Sequence, residues 1–226
     1  MTAPAPTEAR PRRTQVQRAA ETRAKVLDAT VASLIEDGYA ATTTSAVQQR
    51  AEVSRGALMH HFPSKHELLL DAVAHLTAQR GLWLAEQAAA LPADVDRQAA
   101  GIALLWGAMS GPLFAAATEL WIAARTDEDL RRALLESERR LGHAAREFLA
   151  EVLGASGPDD PSFRRAFDFV LQVFRGAALT AVLRDDARWE RELIATTTEL
   201  FRQMHDPDPH TSHPHTSHPH TDEETA

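Results

Sequence analysis

Cysteine is absent from the 226-residue chain. This absence excludes disulfide bonds, thiolate zinc sites, iron–sulfur clusters and a cysteine nucleophile. The sequence has no apolar run near the ~18–20 residues that a membrane-spanning helix requires. Its basic N-terminus is not followed by the apolar stretch of a signal peptide. We therefore expect a cytoplasmic protein with no membrane partner.

Motifs that carry a known catalytic mechanism are also missing, among them GxSxG, HExxH and a glycine-rich phosphate loop. The acidic run at Asp127, Glu128 and Asp129 falls at a predicted helix start, where it interacts favourably with the helix dipole. We predict that the protein is not an enzyme, and we expect neither a cofactor nor an ordered metal site.

Positive charge is scarce overall, since 24 Lys and Arg stand against 32 Asp and Glu, for a net charge of −8. The balance differs along the chain, because residues 1–65 have nine basic and six acidic side chains whereas the remainder has 15 and 26. A mildly basic N-terminal part on an acidic body predicts two modules with different partners. The basic part is the candidate for binding phosphates.

Alternating β-branched runs, which indicate strands, are lacking as well. Prolines and glycines separate intervals with helical periodicity, and Gly38 is a plausible end for the first of them. The pattern predicts an all-α protein of about nine helices. The predicted helices span residues 14–37, 43–51, 54–61, 64–90, 94–109, 112–124, 127–153, 162–183 and 187–204.

The second and third predicted helices form a helix-turn-helix, with Thr43 or Thr44 capping the former and Ser54 the latter. Ser64 begins the next helix with Glu67 at the capping-box spacing. These short helices are the candidate DNA-binding element.

Residue types in the third helix agree with DNA binding. Arg55 can bind guanine or a phosphate, and Gly56 lets the helix backbone approach the bases. Leu58 and Phe62, four residues apart, are predicted to face inward.

The remaining residues of this region face outward in the same interpretation. Met59, His60 and His61 then point at the groove wall, although an exposed helix end is the alternative for the two histidines. Lys65, in the first turn of the fourth helix, is placed to bind a phosphate.

The segment "DGYAATTTSAVQQRAEVSRGALMHHFPSKHELL", Asp37 to Leu69, resembles the TetR family of transcriptional regulators in order, spacing and residue type. It has a glycine-aromatic pair, a capping threonine, a helix-turn-helix ending in an aromatic residue, and the HFPSK link. The resemblance implies a three-helix DNA-binding domain over residues 14–65. The predicted DNA-binding residues are Thr43, Thr44, Ser54, Arg55, Gly56, Ala57, Met59, His60, His61 and Lys65.

Three residues depart from the family pattern. Glu52 stands where the family usually has glycine, so a retained left-handed conformation costs on the order of 1 kcal/mol. Gln48 stands where the family usually has alanine, so we expect the two helices to pack slightly differently. Met59 replaces a tyrosine that commonly bonds a phosphate, so that hydrogen bond is absent here.

The resemblance further implies that residues 66–205 form a ligand-binding and dimerisation domain, with the last two helices in a four-helix bundle between subunits. Aromatic and methionine side chains are candidates for an apolar cavity, with ordinary core packing as the alternative. His75 and His143 are candidates for orienting a ligand. The predicted ligand-binding residues are Trp83, Trp106, Met109, Phe114, Trp121, His143 and Phe174.

Both ends of the chain are expected to be disordered. Residues 1–13 form a basic arm that is either solvated or in contact with DNA. Residues 206–226 repeat HTSHP and are too polar to fold.

Together these features predict a regulator, most simply a homodimeric repressor that a small apolar or amphipathic effector releases from a palindromic double-stranded operator. The alternatives are a regulator that senses a protein or nothing, and a metal-handling protein that acts through its histidine-rich tail.

Overall fold

Ten helices, and no strand, make up the residues that the computed structural model describes, which are 15–92, 94–153, 155–184 and 187–205. The predicted all-α fold is confirmed. The predicted arm and histidine-rich tail lie outside the described residues. The helices are α1 (Gln15–Glu36), α2 (Gly38–Ala41), α3 (Thr44–Arg50), α4 (Arg55–His61), α5 (Lys65–Ala89), α6 (Arg97–Ser110), α7 (Pro112–Ala123), α8 (Glu128–Val152), α9 (Pro161–Ala181) and α10 (Ala187–His205).

The short helix α2 is the one that the sequence did not predict. Gly38 has a φ of +77°, a left-handed conformation that glycine adopts without steric cost, and α1 ends just before it as expected. The backbone N–H of Tyr39 then donates to the carboxylate of Glu119 at 2.7 Å. Because Glu119 lies in α7, this contact was not visible in the local sequence.

Side-chain caps begin the helices of the predicted DNA-binding region. The hydroxyl oxygens of Thr43, Ser54 and Ser64 each accept a hydrogen bond, at 3.1 Å, from the backbone N–H three residues later. Such caps satisfy N–H groups that have no partner within the helix. The predicted caps are confirmed, and Thr43 rather than Thr44 caps α3.

Buried apolar residues fall into three clusters. One joins α1, α3, α4 and the start of α5, the second joins α1, α5, α7 and α8, and the third joins α6, α8, α9 and α10. Because α1 and α5 contribute to the first two clusters, the N-terminal helices are packed directly onto the rest of the molecule.

No single helix within the described ranges is long and apolar enough to cross a membrane. Only α6 and α7 taken together reach that length and composition, and the pair is bent by 53°.

Candidate nucleic-acid interface and effector cavity

The helices α3 and α4 are held in place by side chains that point away from their exposed face. Val47 and Phe62 are fully buried, Leu58 nearly so, and the guanidinium of Arg23 lies 5.5 Å from the centre of the Phe62 ring. The inward orientation predicted for Leu58 and Phe62 is confirmed. The opposite face of α4 is therefore left for contacts outside the chain.

That exposed face carries Arg55, Gly56 and Met59. Within the described part of the chain, no hydrogen-bond acceptor or carboxylate pairs with the Arg55 guanidinium. A Cβ atom built on Gly56 would meet no heavy atom within 4 Å, and Met59 is 39% exposed. The Arg55 side chain and the backbone at Gly56 are therefore accessible from outside the chain.

A groove runs between α3 and α4 along this face. Its lining residues are Thr44, Ser45, Gln48, Arg55, Leu58 and Met59. Ser45 and Gln48 were not predicted to bind DNA, although their spacing of three residues puts them on one helix face with hydrogen-bonding groups. That spacing was the signal in the sequence that could have identified them.

The turn between these helices contains a strained residue. Glu52 has a φ of 54°, the left-handed conformation in which a Cβ atom approaches its own backbone. The conformation expected from the family pattern is retained even though glycine has been replaced. The exposed carboxylate of Glu52 also adds negative charge at the edge of the candidate interface.

Lys65 and the two histidines are placed less simply than predicted. The ammonium of Lys65 donates to the Tyr39 carbonyl oxygen at 3.3 Å and lies 4.7 Å from the centre of the Tyr39 ring. Burial lowers the pKa of Lys65. His60 is exposed, whereas His61 is half-buried with its ring centre 6.2 Å from that of Phe62.

Comparison with known proteins agrees with this geometry. Residues 26–73 match the model of the bacterial regulatory proteins of the tetR family. The chain is 31% identical over 188 residues to an uncharacterized HTH-type transcriptional regulator of Mycobacterium tuberculosis. The aligned residues cover 83% of this chain and 96% of that relative. The chain belongs to the TetR family. It is therefore a DNA-binding transcriptional regulator, and the relatives that it matches are transcriptional regulators rather than enzymes.

Solved structures support the same fold for this TetR-family chain. A transcriptional regulator from a Rhodococcus species has a TM-score of 0.65 at 21% identity, covering 83% of this chain and 99% of that one. A regulator from Saccharomonospora viridis, in complex with choline, has a TM-score of 0.58 at 14% identity and covers 81% of this chain and 96% of that one.

The body of this TetR-family regulator contains a cavity between α5, α6, α8 and α9. The cavity is narrow and partly open to solvent. Its lining is mostly apolar, as in most small-molecule sites. The lining residues are Arg80, Leu84, Leu105, Ala108, Met109, Glu138, Leu141, Gly142, Ala145, Phe167, Leu171 and Arg175.

Three of the predicted ligand-binding residues line openings in this body. Met109 lines the cavity itself. Trp83 lines a separate space next to Gly107 and Pro112, and Trp121 lines an open groove between α7, α8 and α9. The three residues therefore do not share one site.

The other predicted aromatic residues pack against one another. Trp106 and Phe174 are buried with ring centres 5.4 Å apart, and the Trp106 indole N–H donates to Glu190 at 2.6 Å. Phe114 is buried with its ring centre 5.3 Å from that of Trp121.

The two predicted histidines make contacts away from the cavity. His143 lies on the exposed face of α8, 3.4 Å from a Glu147 carboxylate oxygen. His75 in α5 is 2.6 Å from a carboxylate oxygen of Asp28 in α1.

Sequence reasoning missed the charged residues of the cavity. Arg80 donates to Glu138 at 2.6 Å, and Arg175 donates to the other oxygen of the same carboxylate at 3.3 Å. Burial lowers the pKa of Arg175, while the nearby Glu138 carboxylate opposes that change. The position of Arg175 within the apolar run "FVLQVFRGAALTAVL" was the signal that could have identified it.

Proposed function

We propose that this regulator is a repressor that binds a palindromic operator as a twofold dimer and is released when a small apolar or amphipathic molecule enters the cavity. One observation carries the proposal. The 25-residue helix α5 begins at Lys65, next to the recognition helix, and passes Arg80 in the cavity wall. A change at the cavity thus acts on an element that also supports the DNA-binding face.

The proposed division of labour follows the same helices. Residues 15–65 bind DNA, and residues 66–205 hold the effector and form the dimer. Exposed apolar residues support a dimer face on α9 and the turn after it, because Leu179 is 55% exposed and Leu183 is 83% exposed. A twofold dimer places its recognition helices about 34–36 Å apart, one turn of DNA.

DNA binding is tested by footprinting on the DNA that flanks the gene. We expect a twofold-symmetric footprint, and we expect Arg55→Ala to weaken it at least about tenfold, because one bidentate contact to guanine contributes roughly 1–3 kcal/mol. Arg132→Ala is the matched control, since Arg132 is 69% exposed on α8. Wild-type affinity in Arg55→Ala would reject the assignment of α4 as the recognition helix.

The dimer face is tested by light scattering of single-residue variants. Leu179→Arg should shift the protein towards monomers, because it places a charge in an apolar interface. Leu82→Arg is the control, since Leu82 is 63% exposed on α5. Equal dimer content in both variants would place the interface elsewhere.

The direction of regulation is tested in cells. A promoter next to the footprint should become more active when the gene is deleted, and reduced activity would instead identify an activator.

Removal of residues 206–226 should leave the footprint unchanged, and loss of DNA binding on that removal would favour the histidine-rich tail as the active element.

A further inference from the structure

A charged triad joins the openings of the effector-binding body. Arg80 from α5, Glu138 from α8 and Arg175 from α9 line the cavity together. Arg80 also lines the space beside Trp83, while Glu138 and Arg175 line the groove beside Trp121. A molecule entering through either of these openings therefore meets at least one member of the triad.

The triad has an excess of positive charge. Two guanidinium groups share the single carboxylate of Glu138, and the Arg80 side chain is only 6% exposed. Beyond the triad, the Asp168 carboxylate also interacts electrostatically with Arg175 and pairs with Arg146 at 3.3 Å. The triad itself carries one net positive charge among apolar side chains, where an uncompensated charge is destabilising.

Unused hydrogen-bond donors accompany this charge. The buried Nε atoms of Arg175 and Arg146 have no hydrogen-bond partner within the described residues. Buried donors are rarely left unpaired, because the lost hydration is not replaced. The Arg175 guanidinium carbon also lies 5.2 Å from the centre of the Trp121 ring, a cation–π contact that restrains the side chain.

We propose that the effector is a monoanionic carboxylic acid with an apolar body, whose carboxylate is bound by Arg175 and Arg80. This inference rests on the proposed function, since it takes the cavity as the effector site. Guanidinium groups bind carboxylates through paired N–H donors. The apolar body of the acid fills the space between Leu84, Met109 and Leu171.

Glu138 has a defined part in this arrangement. It pairs with both arginines, so the carboxylate of the acid competes with it for the same donors. Binding of the acid therefore loosens the Arg80–Glu138 contact between α5 and α8. A cation, by contrast, meets two arginines and only one carboxylate.

The experiment compares three series of compounds on the full-length protein. Straight-chain carboxylates of six to twelve carbons and 4-phenylbutanoate are matched with their primary amides and with trimethylammonium compounds of the same bodies. Binding is measured by calorimetry and by fluorescence of Trp121 and the other tryptophans. We expect acids to bind about ten- to hundredfold more tightly than the amides, as charged hydrogen bonds do, and the ammonium compounds not to bind.

Two substitutions should change acid binding in opposite directions. Arg175→Gln should weaken it about ten- to hundredfold, whereas Glu138→Gln should strengthen it about threefold or more because the competing charge is gone. Arg140→Gln is the control, since Arg140 is 63% exposed on α8. If Arg175→Gln fails to fold, the sign of the Glu138→Gln effect decides the question.

The proposal is overturned if no acid in the series binds, if amides bind as well as acids, or if Glu138→Gln weakens acid binding. Operator release is measured separately by footprinting. Acids that bind without releasing DNA would reject the proposed release mechanism and leave the anion site intact. Release by neutral amides alone would reject the effector class and leave the proposed function intact.

Discussion

Replacing Gly56 with alanine should make the free protein more stable and its DNA complex weaker. Gly56 is the second residue of α4, its φ is not in the left-handed region, and an added Cβ meets no heavy atom within 4 Å. Alanine in a helix is favoured over glycine by about 0.5–1 kcal/mol. For a chain of this size we expect the melting temperature to rise by about 1–4 °C.

The effect on DNA binding has the opposite sign. The methyl group of Gly56→Ala occupies the space through which the backbone of α4 approaches the base edges. Each specific base contact that is lost weakens binding by roughly 1–3 kcal/mol. A dimer carries the change twice, so the affinity for the operator should fall at least about tenfold.

A second glycine provides the matched control. Gly142 lies within α8, and a Cβ atom there also meets no heavy atom within 4 Å. Gly142→Ala should raise the melting temperature in the same way and leave operator affinity unchanged when no effector is present. Calorimetry and fluorescence anisotropy at one fixed salt concentration measure the two quantities.

Two results would refute the reasoning. Wild-type operator affinity in Gly56→Ala would mean that the backbone of α4 does not approach the DNA closely. A lower melting temperature would mean that the space around Gly56 is already occupied in the free protein. If the backbone of α4 lies against the bases, the rise in melting temperature and the loss of operator affinity must appear in the same variant.

Three further predictions concern single side chains. Glu52→Asn should have a higher melting temperature than Glu52→Gln, because asparagine tolerates the left-handed φ of 54° and relieves about 1 kcal/mol of strain. Both variants remove the negative charge, so both should bind DNA more tightly than wild type at low salt. Glu119→Gln should lower the melting temperature by about 2–4 °C, because the hydrogen bond from the Tyr39 N–H at 2.7 Å loses its charge, a loss of about 1 kcal/mol. Hydrogen bonds from Ser162 and Phe163 hold the pKa of Asp160 below its usual range, so its stabilising contribution should be present near neutral pH and disappear as the pH falls through that lowered value. Melting temperatures of Asp160→Ala and wild type should then converge in acid.

Local contacts were the features that the sequence predicted well. The caps at Thr43, Ser54 and Ser64 depend on residues three positions apart, and the burial of Leu58 and Phe62 depends on a spacing of four. Both are properties of a single helix, so they can be read without knowledge of the rest of the chain.

The cavity could not be predicted in the same way. Arg80, Glu138 and Arg175 come from three different helices. Glu138 follows Arg80 by 58 residues and precedes Arg175 by 37. Long charged side chains on amphipathic helices are usually exposed. Among these three residues, only Arg175 had a local sign of burial, since it lies in an apolar run. The size of an apolar side chain also did not predict which residues line the cavity. Met109 lines it, whereas the larger Trp106 is packed in the core.

Lys65 illustrates a different limit. Its residue type and position predict a phosphate contact, but in the free protein its ammonium binds the Tyr39 carbonyl and faces the Tyr39 ring. A flexible side chain can exchange that contact for a phosphate. Sequence position therefore predicts where the charge is available, while the partner it has in the absence of DNA depends on tertiary packing.

The contacts of α5 explain how occupation of the cavity can reach the DNA-binding face. Lys65 and Arg80 are fifteen residues apart on this helix, which is about 22 Å at 1.5 Å per residue. The Asp28–His75 contact at 2.6 Å joins α1 to the same helix, and apolar residues of α1 and α5 share two buried clusters.

The energy required is within reach of two ordinary binding sites. Moving an equilibrium from 99% DNA-competent to 99% released takes about 5.5 kcal/mol. In a twofold dimer each site supplies half, which corresponds to about a hundredfold preference for the released form. In the proposed mechanism, displacement of Glu138 from Arg80 distinguishes the two states. The 2.6 Å contact between α5 and α8 is made in one state and replaced in the other. Shifts of about 1–2 Å are typical of helices in such transitions. In the proposed twofold dimer the two subunits would move in opposite directions about the axis, so the mismatch with the spacing of one DNA turn would be twice the displacement of either α4 helix.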